Sequence, residues 1–210
     1  MMGFYSKHIF PHLMEWGLSA QPVMDLRTRA LAPSRGRVLE IGFGTGLNIE
    51  CYPGTVDELI ALDSEHMTPG RVRERISKSR FPVRQELIDA SQDLPFDDAS
   101  FDTVVTTFTV CSIKDTSSAL KAVRRVLKPA GAYLFLEHGR SDDPRIARWQ
   151  DWLNPIQNLI AAGCNLNRKI DRLIIDSGLR IDSLHRLTIP NTPRVFAEVY
   201  FGIARRNGVS

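Results

Sequence analysis

Apolar positions along the chain gather into short runs, each halted by a small or acidic residue. Val38, Leu39 and Ile41 make the first and stop at a glycine cluster. Leu59 to Leu62 ends at Asp63, Val83 to Ile88 ends near Asp89, and Phe101 through Val105 runs towards Thr107. Runs of this length, bounded by turn residues, predict strands of a parallel sheet covered on both faces. A fifth strand is expected over Ala132 to Glu137. Two more are expected over Ile181 to Ile189 and Phe196 to Ala204, parted by the proline-marked turn Pro190 to Pro193. Helical spacing intervenes: Ala119, Val123, Val126 and Leu127 share one face and predict a helix over Ser117 to Lys128, closed by Pro129. Ile9, Leu13, Met14, Leu18, Met24 and Leu26 predict short helices near the N-terminus, interrupted by Pro11 and Pro22.

Strands alternating with helices imply right-handed crossovers and ligands at the carboxyl ends of the strands. The expected fold is therefore α/β: a Rossmann-like three-layer sandwich around a mostly parallel seven-stranded sheet, with an antiparallel C-terminal strand. One domain should span residues 1–210, with 1–31 as a helical lid and 141–172 as a helical cap inserted after strand five. In that cap Trp149, Trp152, Leu153, Ile156 and Leu159 recur at roughly helical intervals. They either cover the sheet or line a hydrophobic acceptor pocket.

Charge and composition narrow the partners. The 27 basic and 24 acidic residues are scattered and leave a net charge of +3, with no basic block that would track a phosphate backbone. Nucleic acid is not an expected partner. No stretch of about 18 apolar residues occurs, and the N-terminus lacks a signal-peptide pattern. The expectation is a protein neither secreted nor membrane-spanning. Cys51, Cys111 and Cys164 lie far apart, which argues against a disulfide framework and suits a reducing cytoplasm.

The richest chemistry follows the first strand. Gly42, Gly44 and Gly46 alternate with Phe43 and Thr45, and absent side chains let a backbone approach a ligand closely. A dinucleotide fingerprint needs glycine at position 47, where Leu47 stands, so a nicotinamide cofactor is the second choice. Glu40 places a carboxylate beside the turn, suited to a cationic ligand and opposed to a phosphate. S-adenosylmethionine carries a sulfonium and an ammonium and no phosphate. Asp63 is spaced to bind ribose hydroxyls.

Downstream, Leu94-Pro-Phe-Asp-Asp-Ala-Ser-Phe-Asp102 and Arg125-Val-Leu-Lys-Pro-Ala-Gly131 resemble the later motifs of class I methyltransferases in order and spacing. That resemblance implies a cofactor site made by Glu40, Gly42, Phe43, Gly44, Gly46, Asn48, Asp63, Ser64, Ala90, Ser91, Thr106 and Thr107, with S-adenosylhomocysteine as product. Gly42 to Pro53, Thr109 to Lys114, Glu137-His138 and Gly163 to Leu166 look like the alkyl thiol S-methyltransferases of the methyltransferase-like seven family. A small-molecule thiol is the acceptor this implies, with amine, hydroxyl, carbon or lipid acceptors and a noncatalytic binding role as alternatives. Tyr5, His12, Phe108, Cys111, Ser112 and Trp149 are the acceptor-site candidates. His138, at the exit of strand five, is either a general base for the thiol or a rim histidine that satisfies a turn. Cys111, His138 and Cys164 have a spacing unlike structural zinc motifs, and no metal is expected.

Overall fold

Val38 and Leu39 are neighbours in sequence but are buried in different cores, because successive residues of a strand face opposite sides of a sheet. The computed structural model describes residues 15, 17–64, 69–161 and 163–207. It has seven strands: β1 (Gly36–Ile41), β2 (Val56–Asp63), β3 (Val83–Leu87), β4 (Phe101–Thr107), β5 (Leu127–His138), β6 (Leu179–Thr188) and β7 (Glu198–Arg206). They form one sheet in the order β3-β2-β1-β4-β5-β7-β6. β1 to β5 pair in parallel, and β7 runs antiparallel to both β5 and β6. The expected fold class is observed.

Helices cover both faces. Leu31 of α1 (Gln21–Leu31) and Val72 of α2 (Pro69–Ser77) pack with Val38, Leu59 and Val105. Leu120 and Val123 of α3 (Thr116–Val126), with Ile170 and Ile174 of α5 (Ile170–Asp176), pack with Leu39, Ile60 and Val104 on the other face. α4 (Pro144–Ile160) follows β5, and the short α6 (Arg194–Ala197) occupies the turn between β6 and β7.

Proline placement refines the expected boundaries. Pro129 does not close a helix at Lys128: α3 stops at Val126, and Leu127 already pairs with Phe101 in β5. The β4–β5 ladder shifts register between Phe101 and Thr103, and that irregularity accommodates a residue without an N–H. Pro22 lies in the first turn of α1, where a missing donor costs nothing, so it starts a helix instead of interrupting one.

α4 forms where its periodicity predicts, yet among the described residues its apolar stripe stays out of the buried cores and off the wall of the cavity at the strand ends. Trp149 is 58% exposed and Trp152 65%, with Ile156 and Leu159 also exposed. The helix is held instead by buried Ala147 and Gln150, whose amide donates to the carbonyls of Gly139 and Val195 at 3.1 and 3.3 Å.

At the antiparallel edge, β6 and β7 approach so closely that a Cβ on Gly202 would lie 2.0 Å from the backbone oxygen of Ser183. Gly202→Ala should therefore force the two strands apart and destabilise the protein by about 1–3 kcal/mol. Urea unfolding tests this, and an unchanged midpoint would show that the edge relaxes freely.

Candidate functional site

β1 pairs with β2 on one side and β4 on the other, so the chain changes winding direction there and opens a crevice at the strand carboxyl ends. A cavity of about 550 Å³ occupies it. Its walls are the turn Gly42–Thr45, the β2 end Leu62–Ser64, the β3 end Ile88–Ser91 and the β4 end Thr107–Thr109. Glu15, Leu18 and Arg27 close one side, and Ser112 to Lys114 with Ala161 another.

The glycine turn explains the shape. Gly42 has φ +78°, and a Cβ there would come within 2.1 Å of Thr109 Oγ1, so the β1 turn can meet the β4 loop only without a side chain. Gly44, at φ +58°, would direct a Cβ into open space on the cavity wall. Its N–H donates to Asp63 Oδ2 at 2.7 Å, which ties the turn to the end of β2.

Of the cofactor residues expected from sequence, Gly42, Phe43, Gly44, Asp63, Ser64, Ala90, Ser91 and Thr107 line the cavity. Glu40, Gly46, Asn48 and Thr106 stand behind its wall. Thr106 faces the other side of β4 and shares a 2.8 Å hydrogen bond with Tyr133, as strand alternation requires. Gly46 packs beside the Phe43 ring. Glu40 is fully buried and accepts from Asn48 Nδ2 at 2.9 Å and Tyr52 Oη at 2.8 Å. The carboxylate thus positions the turn from beneath.

Arg27 is a component that the sequence reading missed. Its guanidinium donates to Asn48 Oδ1 at 2.7 Å and Thr107 Oγ1 at 2.9 Å and lies over the Phe108 ring. It is buried and lines the cavity, and its Nε has no hydrogen-bond partner among the described residues. The available signal was a cation on the apolar face of α1, beside Val23, Leu26 and Ala30. Burial pushes its pKa down, opposed by Glu40. Burial pushes the Glu40 carboxyl up to about 7, opposed by Tyr52, Asn48 and Arg27.

On the acceptor side, Phe108 and Ser112 line the cavity. Phe108 adopts φ +53°, a conformation costly for a side chain of its size and typical of functional sites. Cys111 is buried off the wall, Trp149 is exposed on α4, and Tyr5 and His12 lie outside the described residues. His138 also stands off the wall, its ring 4.8 Å from that of Phe108.

Comparisons with known proteins agree with this geometry. Residues 39–135 match the methyltransferase domain family. The YcgJ protein from Bacillus subtilis superposes with a TM-score of 0.68 at 18% identity, covering 88% of this chain and 98% of that one. The chain has the class I S-adenosylmethionine-dependent methyltransferase fold, with the methyltransferase domain matched over residues 39–135.

Human thiol S-methyltransferase TMT1A is 30% identical over 63% of the chain, which spans 55% of that relative's length. Phosphatidylethanolamine N-methyltransferase of Cereibacter sphaeroides is 29% identical over 74% of the chain and 76% of its own length. The [4+2]-cyclase SpnF shares the methyltransferase fold, with a TM-score of 0.68 at 15% identity and coverage of 91% and 82%. Fold and domain imply S-adenosylmethionine as the cofactor and S-adenosylhomocysteine as the product. The residues present fit it: the cavity is of small-molecule-binding size, Gly44 opens onto it without a side chain, and the Asp63 carboxylate lines it at the end of β2.

Two predictions follow from the turn and the buried carboxylate. Gly44→Ala should cost ~1 kcal/mol of stability through its left-handed backbone. It should weaken S-adenosylmethionine binding by at least about tenfold, because the methyl group enters the cavity. Calorimetry showing unchanged affinity would remove the turn from the binding site. Because Glu40 is raised, the folded state keeps a proton that the unfolded state loses as pH climbs from about 4.5 to about 7. Stability should fall across that window, and Glu40→Gln should flatten the slope by on the order of 1–3 kcal/mol. Equal slopes in urea titrations of the two proteins would refute this.

Proposed function

We propose that the protein transfers a methyl group from S-adenosylmethionine to a small-molecule acceptor, with a thiol as the preferred nucleophile. The observation that carries the reading is the cavity itself. Its glycine turn and Asp63 suit a nucleoside amino acid, while Phe108, Ile113 and Ala161 offer apolar surface to an acceptor. The thiol preference is supported by the likeness to the thiol S-methyltransferase and by the segments Thr109 to Lys114 and Gly163 to Leu166, which resemble that family.

When bound, the cofactor supplies an electrophilic methyl group on a sulfonium sulfur. The chain's contribution is placement. Asp63 would hold the ribose, the open backbone at Gly44 admits the amino-acid portion, and Arg27 offers its cationic edge to a carboxylate. Phe108 and Ile113 would exclude water from the transfer site and orient the acceptor for in-line attack. Among the described residues, the titratable groups on the wall are Glu15, Arg27, Asp63, Asp89 and Lys114. Orientation and desolvation would supply the acceleration, since a correctly placed pair avoids the entropic cost of encounter.

Asp63→Ala should weaken cofactor binding by at least about tenfold in calorimetry, by loss of charged hydrogen bonds. The decisive assay incubates the protein with isotope-labelled S-adenosylmethionine and panels of thiols, amines, phenols and phospholipids, with mass spectrometry of the products. Methylated thiol is the expected result. Turnover confined to amines, phenols or lipids would overturn the thiol assignment, and cofactor binding without turnover of any class would overturn the transferase.

A further inference from the structure

The loop after β4, the end of β5 and the loop after α4 converge beside the cavity. They bring together Cys111, His138 and Cys164, with one donor atom from each within 4.8 Å of the others. The two sulfurs are 3.5 Å apart. Both cysteines are buried, and His138 Nδ1 is buried without a hydrogen-bond partner among the described residues.

The sulfur separation approaches that of a tetrahedral zinc site, in which sulfurs bound at ~2.3 Å lie about 3.8 Å apart, and an imidazole nitrogen lies within 4.8 Å of both. We propose that Cys111, His138 and Cys164 bind a zinc-class divalent cation through two thiolate sulfurs and one imidazole nitrogen. Binding releases the two thiol protons, so the bound unit of cation and side chains carries no net charge, a state compatible with burial. Three protein donors leave one coordination position for water or an exogenous thiolate.

Each donor is anchored by its own backbone contacts. Asn165, next to Cys164, donates to the Cys111 carbonyl from its N–H at 2.9 Å and its side chain at 3.0 Å. The Arg168 guanidinium donates to the carbonyls of Val110 and Ile113, fixing the loop that carries Cys111. His138 pairs with Val199 in the sheet, and its ring rests against Phe108. The set is therefore arranged before a cation arrives. A redox dithiol requires only the sulfur pair. A cation uses all three groups.

The test begins with the full chain, purified under reducing conditions, loaded with zinc and desalted, then measured by elemental analysis and titrated with Co(II). One zinc per chain and a thiolate-to-cobalt charge-transfer absorption are expected. Cys111→Ser, Cys164→Ser and His138→Ala should each weaken zinc binding by about 100-fold or more, while Cys51→Ser, which alters a buried thiol elsewhere, should not. Circular dichroism checks that each variant is folded. Three results would each sink the proposal: less than a tenth of an equivalent of zinc on the wild-type chain, no thiolate-to-cobalt absorption, or unaltered affinity in a folded Cys111→Ser, Cys164→Ser double variant. The wild-type measurement overturns the proposal, when zinc is absent, even if every variant fails to fold. It is also independent of methyl-transfer activity.

Discussion

A carboxylate and a guanidinium are buried together beneath the cavity, and the arrangement of the site depends on keeping them satisfied. Glu40 lies on β1 and Arg27 on α1, and Asn48 stands between them, donating to the one and accepting from the other. Thr107, at the end of β4, accepts from both Arg27 and Asn48. Removing any member strands a charge or a donor in the interior, at a cost of several kcal/mol. The network consequently sets where α1, the β1 turn and the β4 end sit relative to one another. Those are the elements that form the cavity wall.

The cavity and the Cys111, His138 and Cys164 cluster share a partition. Phe108 lines the cavity with one face and contacts His138, while Ser112 lines it and lies 3.6 Å from the Cys111 sulfur through its hydroxyl. On the proposed reading, the groups that meet an acceptor sit on this side, and the ribose contact at Asp63 belongs to the other. That separation has a chemical consequence. Relatives whose names specify sulfur and nitrogen acceptors resemble the same chain at nearly equal identity, and a cyclase shares its fold. The cofactor half of such a domain is generic, and the acceptor half carries the difference.

What the chain declared by itself was local. Apolar runs ending in Asp63, Thr107 or glycine marked the strands, because a buried strand needs continuous apolar sequence and a ligand-binding turn needs small or polar residues at its end. The Gly42 to Gly46 turn and Asp63 were legible for the same reason. Trp149 was not. Helical periodicity located α4 but could not say which side would be buried, and anchoring through Ala147 and Gln150 left the indole exposed.

Only the tertiary structure decided which polar residues reach the cavity and which hold it up. Glu40 and Asn48 read as ligand contacts because they flank the glycines, yet folding turns both inward towards Arg27, a residue distant in sequence. The cysteines and the histidine were dismissed on spacing, and three chain segments bring them to one point. Sequence periodicity records burial and turns, which are properties of neighbours along the chain. A site assembled from separate strand ends depends on contacts that exist only once the sheet has closed.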